Sequence, residues 1–244
     1  MERISEFAHP TVIPFGADTV TEAQVLYSRD GYTYRLPSMA LHPGEALRLN
    51  SGGLVFGTPP PLANLPLVAD QLGFLRGHFQ HHCGIWAKNA RLFIARYFDF
   101  IAAEITSHRA ELETGLERFG SLYIPEHWAF SALRPLPHAH LIAPETPGEA
   151  PPGCLLRCDI AFWSAKGAIA IDLVDASTRG AAHARWRARL DAADIHVIEI
   201  RREHLADSDS FRVCLPDDFH AFWRGEALPT GPFRADAGPL VLPA

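Results

Sequence analysis

The sequence predicts an α/β fold: a mixed sheet flanked by helices, with a β-rich extension on its N-terminal side. Three observations carry this. Short alternating runs broken by glycine turns fill residues 22–57. Helical periodicity then runs from Leu67 to about Glu113. Finally RCDIAFWSAKGAIAIDLVDAST, residues 157–178, reads as two apolar strands around a tight turn, with a further helix and strand behind it.

In chain order, AQVLY and YTYRL flank Asp30-Gly31, and EALRLN and LVFG flank Gly52-Gly53, both pairs suited to β-hairpins. GTPPPLANLP is a proline-rich break that closes the extension at residues 1–62. Two helices follow, PLVADQLGFLRGHF and WAKNARLFIARYFDFIAAEITSHRAELE. In the second, Leu92, Phe93, Tyr97, Phe100, Ile101 and Ile105 share a face, as a central helix requires. LYIPEHWAFSAL suggests a strand or a strand with a turn, and APETPGEAPPG a loop. After the hairpin come a helix over residues 178–193 and the strand IHVIEI, which complete an α/β core at 63–209. Residues 210–244, rich in proline and glycine, are expected to wrap it.

Composition narrows the function classes. Of the 244 residues 48% are hydrophobic and 20% charged, which is the balance of a chain with a packed core rather than a disordered one. The longest apolar stretch is interrupted by Arg96, Asp99 and Glu104, so no membrane partner is expected, and the start MERISEFAHP lacks the pattern of a signal peptide, which points to the cytoplasm. Four cysteines in a chain of this size do not make a disulfide framework. A formal charge of −6 argues against general polyanion binding, yet residues 178–202 hold six arginines against three acids, a local surplus of +3.

The hairpin raises a chemical question, because each apolar run carries one aspartate. If Trp163 pairs with Ala168, Asp159 stands opposite Asp172, and cross-strand Cβ atoms lie about 4.5–5.5 Å apart. A register shifted by two residues keeps both on one face. On the second strand Ile169, Ile171 and Leu173 form the core face, while Ala168, Ala170, Asp172 and Val174 share the other, where the small alanines clear space around Asp172. Two such carboxylates repel unless one is protonated or a cation lies between them. A hard divalent ion suits them, magnesium first and manganese as a substitute. Either acid can instead face solvent or pair with Arg157 or Arg179.

The order of helix, strand, hairpin with one acid per strand, helix and strand resembles the PD-(D/E)xK (restriction-endonuclease-like) nuclease superfamily. More narrowly, IAIDLVDAST followed by HARWRARLDAADIHVIEIRREHL is similar to the compact branch related to very-short-patch repair endonucleases. The resemblance spans roughly residues 95 to 205. It implies a metal-dependent DNA endonuclease in which Asp159 and Asp172 hold magnesium, with Asp175 as a helper and Glu104, Glu111 or Glu113 completing the site from the preceding helix. The motif lysine is missing, for its position is Val174. The resemblance then leaves Arg179, His183 or Lys166 to supply a cation, His183 being the histidine such sites can use, or a site that no longer cuts. In that alternative the chain is a decayed nuclease-fold subunit acting in nucleic-acid binding or protein assembly, and cutting both strands would ask for a homodimer.

Further along, Arg185 and Arg189 stand four apart on one helix face, with Trp186 and Leu190 on an adjacent, inward face, so these arginines together with Arg179 are candidate phosphate contacts. HFQHHC brings together His78, His81, His82 and Cys83, a group that would need further ligands to hold zinc. The three-residue gap in CLLRC does not fit a zinc ribbon or redox pair, and the chain has no phosphate-binding glycine loop, nucleophile elbow or dinucleotide fingerprint.

Overall fold

The computed structural model describes residues 2–3, 11–13, 25–28, 31–34, 46–49, 65, 67–83, 87–137, 139–142, 155–174, 180–224 and 228–229. Its strands are β1 (Glu2–Arg3), β2 (Thr11–Ile13), β3 (Val25–Ser28), β4 (Gly31–Tyr34), β5 (Leu136–Pro137), β6 (His140–Ile142), β7 (Leu155–Arg157), β8 (Ile160–Ser164), β9 (Gly167–Val174) and β10 (His196–Arg201). The helices are α1 (Val68–His82), α2 (Lys88–Ser107), α3 (Arg109–Leu116), α4 (Ala181–Ala192), α5 (Arg202–Ala206) and α6 (Ser208–Cys214). Three sheets result, ordered β1-β4-β3, β2-β6-β7 and β10-β9-β8-β5.

The four-stranded sheet organises the rest. Strands β8 and β9 form an antiparallel hairpin in which Trp163 pairs with Ala168 and Ile160 with Ile171, the register expected from the sequence. Gly167 closes the two-residue turn at φ 118°, a backbone angle that side chains resist. Strand β10 runs parallel to β9, which requires a crossover, and α4 supplies it. At the other edge β5 pairs with β8 through Leu136 and Pro137, a proline tolerated because an edge strand has an amide to spare.

All but the first residue of β9 are buried, so the strand is covered on both faces. Ile169, Ile171 and Leu173 join Ile160, Phe162, Ile198 and Ile200 in the main core. Over that face lies α2, with Phe93, Ile94, Tyr97, Phe100 and Ile101 at helical spacing and fully or nearly fully buried. Leu92, expected on the same face, is 40% exposed instead. Tyr97 is 0% exposed and its hydroxyl donates to Leu133 O at 2.7 Å, so the one polar atom of the ring is satisfied.

The stretch expected as a strand at LYIPEHWAFSAL is a 3-10 helix over Pro125–Ser131. Pro125 presets φ for the first turn, and His127 Nδ1 accepts from Ile124 N at 3.1 Å. Segments on either side of the expected core also enter it. Leu49 is in the core cluster and Leu47 is buried beside it, with Leu47 N donating to Trp163 O at 3.0 Å. From the C-terminal side Phe211, Leu215, Phe219, Phe222 and Trp223 pack in. The hairpin expected at 25–34 is present as β3 and β4; its neighbour around Gly52-Gly53 and the loop at 143–153 lie outside the described residues. Among the described residues no helix is long and apolar enough to cross a membrane.

Burial separates the thiols. Cys83 and Cys158 are each 1% exposed, and burial first, then the charge of Asp159, pushes both up to about 12. Cys214, partly exposed, is raised less. Among these three, a maleimide at pH 7.5 is expected to label Cys214 in the native protein and the other two only after unfolding, with mass spectrometry of the digest as the readout. Rapid native labelling of Cys83 would contradict the packing of α1 against α2.

Candidate functional site

The site grows from the outer face of β9. Asp172 points away from the isoleucine core and is 5% exposed, a position where a carboxylate must find donors. Helix α4 lies over this face because His183, Trp186, Arg187 and Leu190 recur at three- and four-residue spacing and are its less exposed residues. His183 Nε2 donates to both oxygens of Asp172 at 3.0 Å, and Arg187 Nη1 donates to Oδ2 at 2.8 Å. Since the carboxylate only accepts, Nε2 carries the hydrogen and Nδ1 is the nitrogen left over. One turn on, Trp186 stacks on His183 at 5.6 Å between ring centroids and donates its Nε1 hydrogen to Arg157 O at 3.0 Å. The helix is thereby tied to two sheets at once.

Asp159 stands apart from this clasp. The chain passes from the β2-β6-β7 sheet to the four-stranded sheet at Cys158 and Asp159, and Cys158 N still bonds Ala139 O at 2.8 Å. The β8-β9 ladder begins at Ile160, so Asp159 falls one residue short of the pairing that would set it opposite Asp172, and it is exposed. Its charge is felt on both sides: after burial, Asp159 and Asp172 raise the Cys158 thiol, and Asp159 raises that of Cys83.

The other expected residues scatter. Asp175 and Arg179 lie outside the described residues. Val174 is 7% exposed and apolar, so it donates nothing where a lysine was looked for. Lys166 sits in the hairpin turn, paired with Asp218 at 2.5 Å, and six residues of strand separate it from Asp172, about 20 Å. Glu104 is on α2, across the sheet from Asp172, held by Arg212 at 2.7 Å and by His220 at 3.5 Å; it does not complete the site. Glu111 is exposed on α3, where Glu113 pairs with Arg109 at 3.2 Å. The nearest acid by register is one the sequence reading passed over: Glu199 pairs with Asp172 across β10 and β9, and Arg201 Nε donates to it at 2.7 Å. Arg187 was also passed over, although its place four residues after His183 puts both on one face.

This donor set does not fit magnesium. A hard cation needs open oxygens, and those of Asp172 are engaged by hydrogen bonds from the His183 ring and from the Arg187 guanidinium, which brings the positive charge a metal would. Among the described residues no three His, Cys, Asp or Glu side chains come together so as to hold a metal ion. That holds at the histidine cluster as well, where the rings of His78 and His82 lie 4.3 Å apart at the end of α1.

Burial, then the charges of His82, Arg134 and His81, lower His78 to about 4 from the usual 6.5. The folded protein therefore refuses a proton that the unfolded chain takes. This ring costs nothing above pH 6.5 and costs stability as pH falls from 6.5 towards 4, on the order of 1–2 kcal/mol after allowing for solvent screening of the partly exposed ring. Urea midpoints of wild type and His78→Gln, compared at pH 7.5 and 5, are expected to converge or cross at the lower pH; a constant difference would exclude the effect.

On the outer side of α4, Arg185 is exposed and Arg189 partly so, while Arg201 and Arg202 are exposed where β10 ends. Asp191 and Asp194 are exposed too and Arg187 is spent on Asp172, so the positive surplus of residues 178–202 is smaller at the surface than in the sequence. Compared with known protein families, with curated proteins and with solved structures, the chain matches none.

Proposed function

We infer that this chain is a restriction-endonuclease-like protein that binds nucleic acid through the arginine helix α4 without cutting it, the acid of the second hairpin strand having become the anchor of that helix. The observation carrying this reading is that Asp172 is held by His183 and Arg187 while buried Val174 occupies the lysine position. The element order supports the fold assignment, since α2, β5, the β8-β9 hairpin, α4 and parallel β10 come in the order the resemblance implies, with α3 and the β6-β7 pair inserted between them. Nucleic acid is favoured over a protein partner because Arg185, exposed, and Arg189, partly exposed, stand four apart on α4, a spacing that suits phosphates.

The test is fluorescence anisotropy on a labelled DNA duplex and on the same single strand over a salt series, with nicking followed in magnesium and in manganese. Wild type is expected to bind without nicking. Arg185→Ala/Arg189→Ala is expected to weaken binding and lower the slope of log K against log salt by about 2. A salt-independent or absent interaction would overturn the reading.

A second reading has one observation in its favour. His183 and Asp172, both named from the sequence as site residues, do meet. Nicking that requires metal and disappears in both Asp159→Ala and Asp172→Ala would establish that reading, a metal-dependent DNA endonuclease, in place of the first.

A further inference from the structure

Helices α1 and α2 border a groove of about 370 Å³ in which Leu72, Phe98, Ile101 and Ile105 supply apolar wall. Glu126 lines it too, and belongs to the first turn of the 3-10 helix Pro125–Ser131, so the placement of that turn decides how open the groove is. Trp128, Phe130 and Ser131 are buried and fix the later part of this helix in the core, whereas Ile124 is 43% exposed and Tyr123 and His127 partly so. The first turn therefore depends on its own bonds. His127 N donates to Ile124 O at 3.0 Å, and Ile124 N donates back to His127 Nδ1 at 3.1 Å. A ring nitrogen accepts only while it carries no hydrogen, so the closed turn requires a neutral ring with its hydrogen on Nε2.

The groups around the ring set the sign of its response. Burial lowers His127 below its ordinary 6.5, and the charge of Glu126 works in the opposite direction. Burial alone would raise Glu126, but the hydrogen bond from Arg109 on α3 outweighs it and holds that carboxyl below the usual carboxylate range; Arg109 also pairs with Glu113 at 3.2 Å. Tyr123 meets the ring perpendicularly, at 6.1 Å between centroids. The charged residues that α1 and α2 bring to the groove, Arg76 and Asp99, pair with each other at 2.8 Å. A proton on His127 is thus opposed by burial and by the loss of one hydrogen bond. Once the turn opens, the ring stands in water and takes a proton at its ordinary value. A proton bound by the open form and refused by the closed one shifts the balance towards opening by up to about tenfold per pH unit below 6.5, and leaves it unchanged above.

We propose that His127 is a proton-operated latch on the groove between α1 and α2: the neutral ring holds the Ile124–His127 turn closed through the Ile124 amide, and protonation lets the turn swing away from the groove with Glu126. The full chain, labelled with nitrogen-15, is followed by NMR from pH 7.5 to 5. At pH 7.5 the imidazole nitrogen shifts are expected to place the hydrogen on Nε2. The protection of the Ile124 amide against exchange, relative to its intrinsic rate, is expected to fall by at least about fivefold over the series. Ala132 N, bonded to Ala129 O at 3.2 Å at the far end of the same helix, is expected to keep its protection and so separates the latch from global unfolding. Gly73 and Thr106, on the two walls of the groove, are expected to shift with the same midpoint. In His127→Asn the side-chain oxygen takes the place of Nδ1 and accepts without titrating, so Ile124 is expected to stay protected at every pH. Should asparagine fail to hold the amide, the wild-type profile and Ala132 decide. A hydrogen on Nδ1, an Ile124 amide unprotected at pH 7.5 or protected equally at both ends of the series, the same fall in His127→Asn as in wild type, or Gly73 and Thr106 unmoved while Ile124 opens would each overturn the proposal.

Discussion

Replacing Arg187 with methionine is expected to cost about 2–4 kcal/mol of folding stability, equivalent to a melting temperature lower by roughly 5–15 °C. The side chain of Asp172 is 6% exposed, so a carboxylate deprived of its guanidinium cannot turn to water. Removing one partner of a fully buried pair costs about 3–5 kcal/mol, and the lower range applies because Arg187 is itself 31% exposed. Methionine keeps the stem packed, which isolates the loss to charge and hydrogen bond. The double variant Asp172→Asn/Arg187→Met is expected to recover part of the loss, since an amide asks less of its surroundings than a stranded carboxylate. Urea unfolding followed by circular dichroism measures both. No change on Arg187→Met would mean that the clasp does not hold α4, and with it would go the claim that Asp172 serves as an anchor. On the proposed reading, the same variant weakens DNA binding beyond the loss of one charge, because Arg185 and Arg189 are positioned by the helix that Arg187 fastens.

What could be read from the sequence divides along the range of the interactions involved. Helices α1 and α2 and the β8-β9 hairpin follow from patterns within a dozen residues; the facing of the hairpin follows because a one-residue slip would turn Asp172 into the isoleucine core, and the structure has Trp163 opposite Ala168 rather than the register shifted by two. Pro125–Ser131 was misread because its apolar residues alternate like a strand, while proline and a capping histidine favour a tight helical turn. The entry of Leu49 and of the Phe211–Trp223 segment into the core depends on long-range contacts that no local pattern reports.

The site shows the same division more sharply. Asp172 stands out in the sequence as an acid in an apolar strand, whereas His183 comes from the resemblance alone. The place of Arg187 in the clasp is legible in its four-residue spacing from His183, but Arg185 and Arg189 present the same spacing on the outer side, and only the structure separates the two pairs. That Asp159 falls outside the β8-β9 ladder was not legible. Both belong to what looks like one hairpin, and only the tertiary structure shows Leu155–Arg157 pairing with β6 in another sheet. A change of sheet costs one peptide of ladder, and that peptide carried half of the expected metal site.

The second large effect is in the core beneath that site. Phe162→Ala is expected to cost about 3–5 kcal/mol, the range for truncating a buried aromatic ring. Phe162 is 0% exposed, and its ring meets Tyr97 at 5.1 Å, Phe93 at 6.1 Å and Phe219 at 4.8 Å, so it joins the hairpin both to α2 and to the segment near residue 219. The control is Leu92→Ala on α2. Sequence periodicity places Leu92 in the core, whereas 40% exposure gives it little to lose, and a cost below about 1 kcal/mol is expected. Equal costs for the two would mean that α2 is rotated from the orientation described, and the placement of Glu104 beneath the sheet would fall with it. A loss for Phe162→Ala well below 3 kcal/mol would mean that the 3-10 turn at Asp217–Phe219 closes onto the vacated space, since its contacts to the hairpin are the ones free to move. Hydrogen exchange separates these outcomes: a persistent cavity leaves the amides of Phe219 and His220, bonded to Pro216 O at 2.9 Å and Asp217 O at 3.0 Å, as protected as in wild type relative to global unfolding, and a collapse changes them first.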